Sequence, residues 1–397
     1  MSKHVLLGVT GGISVYKSPG IVSRLKKMGI EVRVVMTEHA TEFVTPLTFQ
    51  TMSNEVVHVE MFNQLSNMDV EHISLAKWAD CMIIAPATAN TISKLAYGIA
   101  DNMLTTVAMA TKAKIIIAPA MNTNMLEAES TQEALRILRS RENVKILPTA
   151  EGLLACQDVG SGKMLDPDEI VDYILEALTP KTMEGVELTV TAGPTKERMD
   201  PVRFLSNHSS GKTGYAIAVE ARNRGAKVHL ISGPTHLKRP RDVDFISVES
   251  TQEMYDAVKS VFSTSDVLIK SAAPSDYKPA HYANEKIKKS GGDNMTVEFS
   301  PNPDIAKHFG NIKGDRVVVG FAAESHNMTE YAKKKLESKN FDFIVANNIC
   351  EENAGFGSET NHVKIFSSDG SEEDLPMMEK SELAGKILDR VTENLKS

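Results

Sequence analysis

Cysteine is scarce, with three in 397 residues, too few for the disulfide framework of a small secreted domain. A reducing, cytoplasmic setting is therefore expected. Long apolar runs are missing too. None approaches the roughly 18 to 20 residues that cross a bilayer, and the first residues hold no extended apolar leader region. Nor is there a surplus of positive charge: 44 basic residues face 52 acidic ones, for a formal net charge of -8. Without an overall electrostatic footprint for nucleic acid, any anion must be met by local lysines.

The length leaves room for two domains of ordinary size, and the chain uses one plan twice. HVLLGVT, the loop GGISVYKSPG, the helix IVSRLKKMG and the strand EVRVVMT form a β-loop-α-β opening. LTVTAG, the long loop PTKERMDPVRFLSNHSSGKTG, the helix YAIAVEARNRGA and the strand KVHLISG repeat it. Two such openings predict an α/β chain of two Rossmann-like three-layer domains with mainly parallel sheets. Each should place a loop and a helix N-terminus at the carboxyl end of its first strand, where phosphate-bearing ligands bind. The linker TPKTMEG sets a boundary near Lys181, dividing residues 1–180 from 185–397.

In the first half, Gly11 and Gly12 let backbone amides approach a phosphate closely, although a plain tight turn is an equal reading of the two residues. The pattern is not G-x-G-x-x-G and the second strand ends at Thr37, which disfavours a nicotinamide dinucleotide, with Glu38 keeping it open. His72 lies on the helix VEHISLAKWAD, and Cys81 opens the buried strand CMIIAPA as a small core residue. Two APA turns put Thr88, Asn90 and Asn122 beyond the ends of neighbouring strands, suited to a polar ligand or to ordinary turns. EGLLACQDVGSGKM reads as a glycine-rich flap whose Cys156 is open to structural and catalytic readings alike.

These segments resemble the flavin-containing cysteine decarboxylases, and more closely the decarboxylase half of the bifunctional phosphopantothenoylcysteine decarboxylase/phosphopantothenate-cysteine ligase family. The resemblance rests on TGGISVYK, HISLAKWAD, PATANT, PAMNTNM and LACQDVGSGKM, in the family's order. It implies FMN held by Gly11, Gly12, Ser14, Thr37, Thr88 and Asn90, with His72 as active-site histidine, Asn122 as substrate-carboxylate ligand and Cys156 as proton donor. The chemistry explains the need for flavin: decarboxylation of an N-acylated cysteine lacks an electron sink until the thiol is oxidised to a thioaldehyde. Carbon dioxide then leaves, a hydride returns, and a thiol supplies the last proton. Gln157, Lys163 and Leu126 depart from the family's usual glycine, arginine and aromatic residue.

In the second half, SNHSSGKTG matches the end of a P-loop, but Ser206 replaces its first glycine and the strand ends too far upstream, near Ala192. It reads as a different anion loop, or as simple N-capping by Ser209 or Ser210. Asp276 follows the strand DVLIK and is placed to meet a metal or a hydroxyl. NEKIKKSGGDN is a basic loop, and YAKKKLESK is a helix carrying Lys335 and Lys339 on one face. Solvated faces would explain each charge run alone. Together they bracket SPNPDIA and VVVGFAAES around Phe321, an arrangement suited to a nucleotide.

TAGPT, RFLSNHSSGKTG, SDYKPA, EKIKK, NPDIA and GFAAE resemble the ligase half of the same family. That implies CTP-dependent joining of 4'-phosphopantothenate to cysteine through an acyl-cytidylate, with Mg2+. The implied CTP ligands are Lys270, Ser271, Ala272, Asp276, Lys286, Asn302, Pro303, Asp304, Ile305, Phe321, Lys335 and Lys339; Asn207 serves the intermediate. Lys270 and Pro274 stand at positions often small or apolar in the family. The ligase product is the decarboxylase substrate, so the two steps run consecutively towards coenzyme A. The resemblance also implies a homo-oligomer of trimeric flavin domains and dimeric ligase domains, small-molecule partners, and neither nucleic acid nor membrane. A nicotinamide or flavin oxidoreductase, and a flavoprotein regulatory subunit without chemistry, are the alternatives.

Overall fold

The computed structural model describes residues 3–61, 70–153, 159–288, 295–324, 327–348, 355 and 357–395. Its contacts divide the chain into two compact units, Met1–Thr179 and Pro180–Ser397. No helix is long and apolar enough to cross a membrane among these residues.

The first unit is built on six parallel strands: β1 (His4–Val9), β2 (Glu31–Met36), β3 (Val57–His58), β4 (Cys81–Ala87), β5 (Lys114–Pro119) and β6 (Val144–Ile146). Their spatial order is β3-β2-β1-β4-β5-β6, with every neighbouring pair parallel. Helices on both faces require the continuous apolar strands that the sequence supplies. Val5, Leu7 and Val9 join one core layer with helices Ser18–Lys27 and Pro167–Leu178; Leu6, Met82 and Ile84 join the other with Met103–Ala110 and Glu129–Arg139. Cys81 is fully buried among them, and burial pushes its thiol up to about 12.

Two details differ from the sequence reading. The first helix is preceded by a 3-10 turn, Ile13–Lys17, and begins at Ser18, because a proline is tolerated in a helix's first turn where its missing N–H is not needed. The flap is an antiparallel ribbon at its base, β7 (Ala150–Leu153) with β8 (Val159–Lys163). Glycine-rich strands have little propensity of their own, and this one is fixed by its seat. The Met121 amide donates to the Gly162 carbonyl (2.9 Å), and the Thr123 hydroxyl to that of Ser161 (2.6 Å).

The second unit adds β9 (Glu187–Ala192), β10 (Lys196–Arg198), β11 (Phe204–Ser206), β12 (Lys227–Ser232), β13 (Asp244–Ser247), β14 (Val267–Lys270), β15 (Tyr277–Pro279), β16 (Phe299–Pro301), β17 (Val317–Glu324), β18 (Phe343–Asn348), β19 (Thr360–Ser367) and β20 (Glu372–Glu379). Eight form the main sheet in the order β13-β12-β9-β14-β17-β18-β19-β20. The first six are parallel and repeat the winding of the first unit, while β19 and β20 extend it as antiparallel edge strands. Helices Lys212–Asn223 and Lys380–Asn394 cover one face; Thr251–Val261, Ile305–Asn311 and Met328–Ser338 cover the other. β10–β11 and β15–β16 are separate two-stranded ribbons. The two Rossmann-like three-layer domains expected from the repeated opening are thus present, with the antiparallel edge as an addition.

Candidate functional site

In each unit the strand order reverses beside its first strand, between β1 and β4 and between β9 and β14. The crevice beyond the carboxyl ends of such strands is where open α/β sheets hold ligands. In the first unit the loops after β1, β2 and β4 meet there. Thr10, fully buried, donates to the Pro86 carbonyl (2.7 Å) and accepts from the Thr88 amide (3.1 Å). The Thr37 amide bonds the Val9 carbonyl (2.9 Å). A Cβ on Gly11 would stand 2.6 Å from that of His39, so only glycine lets the first loop close against the second.

Gly11, Gly12, Thr37 and Thr88 are thereby brought together. Ser14 follows on the 3-10 turn, and Asn90 is exposed at the start of helix Ala89–Tyr97, which Thr88 caps. The Thr37 hydroxyl oxygen is buried without a hydrogen-bond partner among the described residues. Such an orphan is uncommon in a native interior, and it fits a bound polar group. Glycine amides, two threonine hydroxyls and a helix N-terminus match a phosphorylated cofactor of the flavin mononucleotide kind.

Asn122 caps helix Thr123–Glu127, its Oδ1 accepting from the Asn124 amide (2.8 Å). β8 lies directly against this loop. Gly162 has φ +123°, and a Cβ there would come within 2.3 Å of the Met121 carbonyl oxygen. On the other side, Lys17 donates to the Met164 carbonyl (3.2 Å) and to Asp166 Oδ1 (2.6 Å). The exit of the flap is therefore clamped between the Asn122 loop and the 3-10 turn. His72 is half-buried on helix Glu71–Trp78, where no bond among the described residues joins it to the Gly11–Thr88 cluster; the neighbouring Glu71 pairs with His58 Nδ1 at 2.5 Å. Cys156 and Gln157 lie outside the described residues.

In the second unit the loops after β9 and β14 are tied by the Ala273 amide to the Gly193 carbonyl (3.0 Å). Asn207 spans the same gap, its Nδ2 donating to the carbonyls of Ala273 (3.1 Å) and Pro274 (3.2 Å). Lys270 ends β14 at 8 % exposure, with Ser271 and Ala272 following, and the Ala272 amide bonds Thr191 Oγ1 (3.3 Å). Asn302 joins the Asp276 turn twice, from its amide to the Asp276 carbonyl (2.8 Å) and from its Nδ2 to the Ser275 carbonyl (2.9 Å). Pro303 follows, Asp304 caps the helix that Ile305 opens, and Lys339 pairs with Asp304 at 3.2 Å. Phe321 is the next residue after Gly320, which pairs in register with Lys270.

Burial, and then repulsion from Lys339, lower the Lys270 ammonium to about 8, against the pull of Asp304 and Asp276. Burial raises the Asp304 carboxyl, but the Lys307 amide and Lys339 outweigh it and hold it below the ordinary value. Lys270, Asp276, Asp304 and Lys339 thus form one electrostatic cluster. Ser275 Oγ and Asn302 Oδ1 beside it are buried without partners among the described residues, again the mark of a polar ligand. Helix Met328–Ser338 stops before Lys339, since Asn340 turns to φ +51°, yet the Lys339 amide still reaches the Lys335 carbonyl (3.1 Å). Lys286 is exposed.

Two cavities, of about 200 Å³ beside Leu95 and Arg141 and about 420 Å³ beside Lys196 and Lys278, are lined by none of these residues. No group of three or more His, Cys, Asp or Glu side chains able to hold a metal occurs among the described residues. Sequence reasoning missed two buried carboxylates on the β10–β11 ribbon. Glu197, 4 % exposed, accepts from the Thr251 amide (2.9 Å) and hydroxyl (2.8 Å), and Thr251 in turn reaches the Ser275 carbonyl (3.3 Å). Asp200, 1 % exposed, holds three backbone amides. The Asp-Pro pair, a turn starter, was the available signal for Asp200.

Comparison with known proteins matches residues 1–179 to the family described as Flavoprotein, and residues 183–395 to the DNA/pantothenate metabolism flavoprotein C-terminal domain. A protein named "Coenzyme A biosynthesis bifunctional protein CoaBC" from Bacillus subtilis (strain 168) is 44 % identical over 394 residues, 98 % of this chain and 97 % of that one. Its namesake from Escherichia coli (strain K12) is 43 % identical over 390 residues, covering 97 % and 95 %. A crystal structure of the C-terminal domain of a protein of that name shares 40 % identity, covers 54 % of this chain and 98 % of its own, and has a TM-score of 0.47. With identity of this order running through both units almost from end to end, the chain belongs to the family of bifunctional coenzyme A biosynthesis proteins.

Proposed function

We propose that the chain carries out two consecutive steps of coenzyme A biosynthesis. The second unit joins 4'-phosphopantothenate to cysteine at the expense of CTP, and the first decarboxylates the product to 4'-phosphopantetheine with FMN. The observation that carries this reading is the 44 % identity spanning 98 % of the chain and both units, to a relative named as bifunctional in this biosynthesis. The orphaned polar atoms at both crevices support it independently.

In the ligase reaction the substrate carboxylate attacks the α-phosphorus of CTP, the α–β phosphate bond breaks, and pyrophosphate leaves. The cysteine amine then attacks the acyl carbon and releases CMP. Neutralising the leaving pyrophosphate is mainly electrostatic work, for which Lys270, Lys339, Lys286 and Lys335 are the cations. Ser275 Oγ and Asn302 Oδ1 offer a buried donor and acceptor to the nucleoside; Ser271, Ala272, Pro303, Ile305 and Phe321 shape its pocket. Asn207, already bridging the β9 and β14 loops, holds the acyl-cytidylate. Mg2+ would accompany the triphosphate, since the described residues offer no dedicated cage.

In the first unit Gly11, Gly12, Ser14, Thr37, Thr88 and Asn90 would hold FMN, which supplies the two-electron oxidation and the returning hydride when bound. Asn122 orients the substrate carboxylate: with its Oδ1 taken by the Asn124 amide, its donor end is the one suited to an anion. His72 accepts the proton and the Cys156 thiol returns one. In this reading the protein is a homo-oligomer, with trimeric flavin units and dimeric ligase units.

The visible spectrum of the purified protein, with identification of the pigment released on denaturation, tests the first unit. Flavin bands with released FMN are expected. A colourless protein that took up no added FMN would remove the decarboxylase assignment. Turnover of phosphopantothenate and cysteine with CTP tests the second unit separately, and failure to form CMP would remove that one.

A further inference from the structure

The turn that joins β10 to β11 holds a buried carboxylate whose bonding exceeds what the turn needs. Asp200 Oδ1 accepts from the amides of Val202 and Arg203, both at 2.7 Å, which is a complete Asx-type turn. Its other oxygen, Oδ2, leaves the turn and accepts from the amide of Ile287 at 3.1 Å. The Ala283 amide reaches back to the Met199 carbonyl at 3.0 Å. These two bonds are the feet of a short arch, residues 284–286, that carries the exposed Lys286 outward. Burial raises the Asp200 carboxyl, but the three amides outweigh that effect and hold it below the ordinary value, ionised throughout the neutral range. Among the described residues the one cation near it is the Arg203 guanidinium, 3.7 Å from Oδ2.

We propose that Asp200 is a positioning residue of the ligase, fixing through the Ile287 amide the arch that presents Lys286 to the CTP triphosphate. The proposal rests on the reading of Lys286 as a CTP ligand. A lysine on an untethered loop meets a phosphate only after ordering three backbone residues, each at an entropic cost. The Asp200 bond fixes that geometry before the nucleotide arrives. Without the tether, the loss should fall on steps that use the triphosphate and leave cysteine recognition alone.

Asp200→Asn in the full chain is the selective variant. The amide oxygen of asparagine can keep both bonds of the turn, while its NH2 confronts the Ile287 N–H and cannot accept from it. Expected is a fall in kcat/KM for CTP of roughly ten- to a hundredfold, the range of one lost charge-assisted bond, with KM for cysteine and decarboxylation of added phosphopantothenoylcysteine unchanged. Made on top of Lys286→Met, the same substitution should cost nothing further, because coupled residues are not additive. Full additivity, or normal CTP kinetics in Asp200→Asn, overturns the positioning role while Lys286 stands. Unchanged CTP kinetics in Lys286→Met would instead remove the reading of Lys286, and the proposal with it. If Asp200→Asn does not fold, hydrogen exchange of the unaltered protein decides: the Ile287 amide should be protected well above that of Glu285, and equal rates refute the tether.

Discussion

Replacing Lys270 by methionine should stabilise the free ligase unit while weakening its hold on nucleotide. The ammonium is 8 % exposed, makes no hydrogen bond among the described residues, and is lowered from 10.5 to about 8, by burial first and by Lys339 second. Between those two values the unfolded chain keeps a proton that the folded one sheds, so stability rises with pH across that window. Below pH 8 the full cost of burying the charge is present. The difference corresponds to about 3 kcal/mol. Methionine fills similar volume without a charge and should recover most of that at pH 7, as apolar replacements of buried ions often do. For a unit of this size the gain is a rise of roughly 6 to 12 °C in Tm. At pH 10 it should shrink to under about 1 kcal/mol, because the wild-type amine is then already neutral. Calorimetry of the full chain at both pH values checks this, following the transition that CTP displaces. CTP affinity, read by titration calorimetry, should fall roughly ten- to a hundredfold with the loss of one charge-assisted contact. A variant less stable than wild type at pH 7, or a gain unchanged between pH 7 and 10, would refute the account of Lys270 as a strained, ligand-directed cation.

Thr37→Val should leave the apo protein as stable as before, since the hydroxyl oxygen has no partner to lose among the described residues, yet weaken FMN binding by roughly five- to tenfold; equal affinity in equilibrium dialysis would show that the flavin does not use this atom. Gly162→Ala combines φ +123° with a Cβ 2.3 Å from the Met121 carbonyl, so decarboxylation should drop sharply while CTP-dependent ligation continues at its normal rate. Parallel assays of both activities settle the point, and an intact decarboxylase contradicts the clamped-flap geometry. Glu187 is held down at about 2, first by the Thr264 hydroxyl and then by His229. Its contribution is complete above pH 4.5 and is lost as pH falls through 2, so Glu187→Gln should cost roughly 1 to 3 kcal/mol at pH 7 and less than half of that at pH 3 in urea unfolding. An equal cost at both values would place the effect elsewhere.

The strands and their parallel arrangement were legible because unbroken apolar runs such as Val5–Val9 and Val267–Ile269 fit only a sheet covered on both faces. The residues at their carboxyl ends were legible for a related reason: small polar residues there have either a turn or a ligand to serve. What escaped was structure created by tertiary contact. The base of the flap pairs as a ribbon although Gly152, Gly160 and Gly162 give it no local tendency to do so. The edge strand β20 alternates too weakly to announce itself, with Glu372, Glu373 and Asp374 in a row. Glu197 and Asp200 stand among other charged residues of a long loop, and their burial appears only when Thr251 and Ile287, far along the chain, arrive as donors. Pairwise hydrogen bonds over such separations leave no periodic trace in a sequence.

The two units share one winding, yet their crevices suit different chemistry, and the difference lies in the first loop. After β1 the chain needs only Thr10 to Gly12 before it turns helical. A short loop of this kind offers backbone amides and little else, which suits a cofactor phosphate, and the function proposed assigns substrate contact to other loops. After β9 the chain runs from Gly193 to Gly211 before helix Lys212–Asn223 begins, and folds a ribbon on the way. That insertion brings Glu197 against Thr251 and the Ser275 turn, Asp200 against Ile287, and Asn207 against Ala273 and Pro274. Three side chains from one loop thus bear on the two segments that carry Asp276 and Lys286, and Asn302 joins the first through its own bonds to Ser275 and Asp276. A substrate that must be activated, attacked and released in turn needs such adjustable contacts on several loops, held by one frame, where a cofactor that stays needs a single cradle. Shortening the β10–β11 ribbon should therefore abolish ligation while leaving the eight-stranded sheet intact, because no strand of the ribbon belongs to that sheet. Far-ultraviolet circular dichroism together with CMP release distinguishes that outcome from collapse of the unit. Retained ligation would mean that the frame is dispensable.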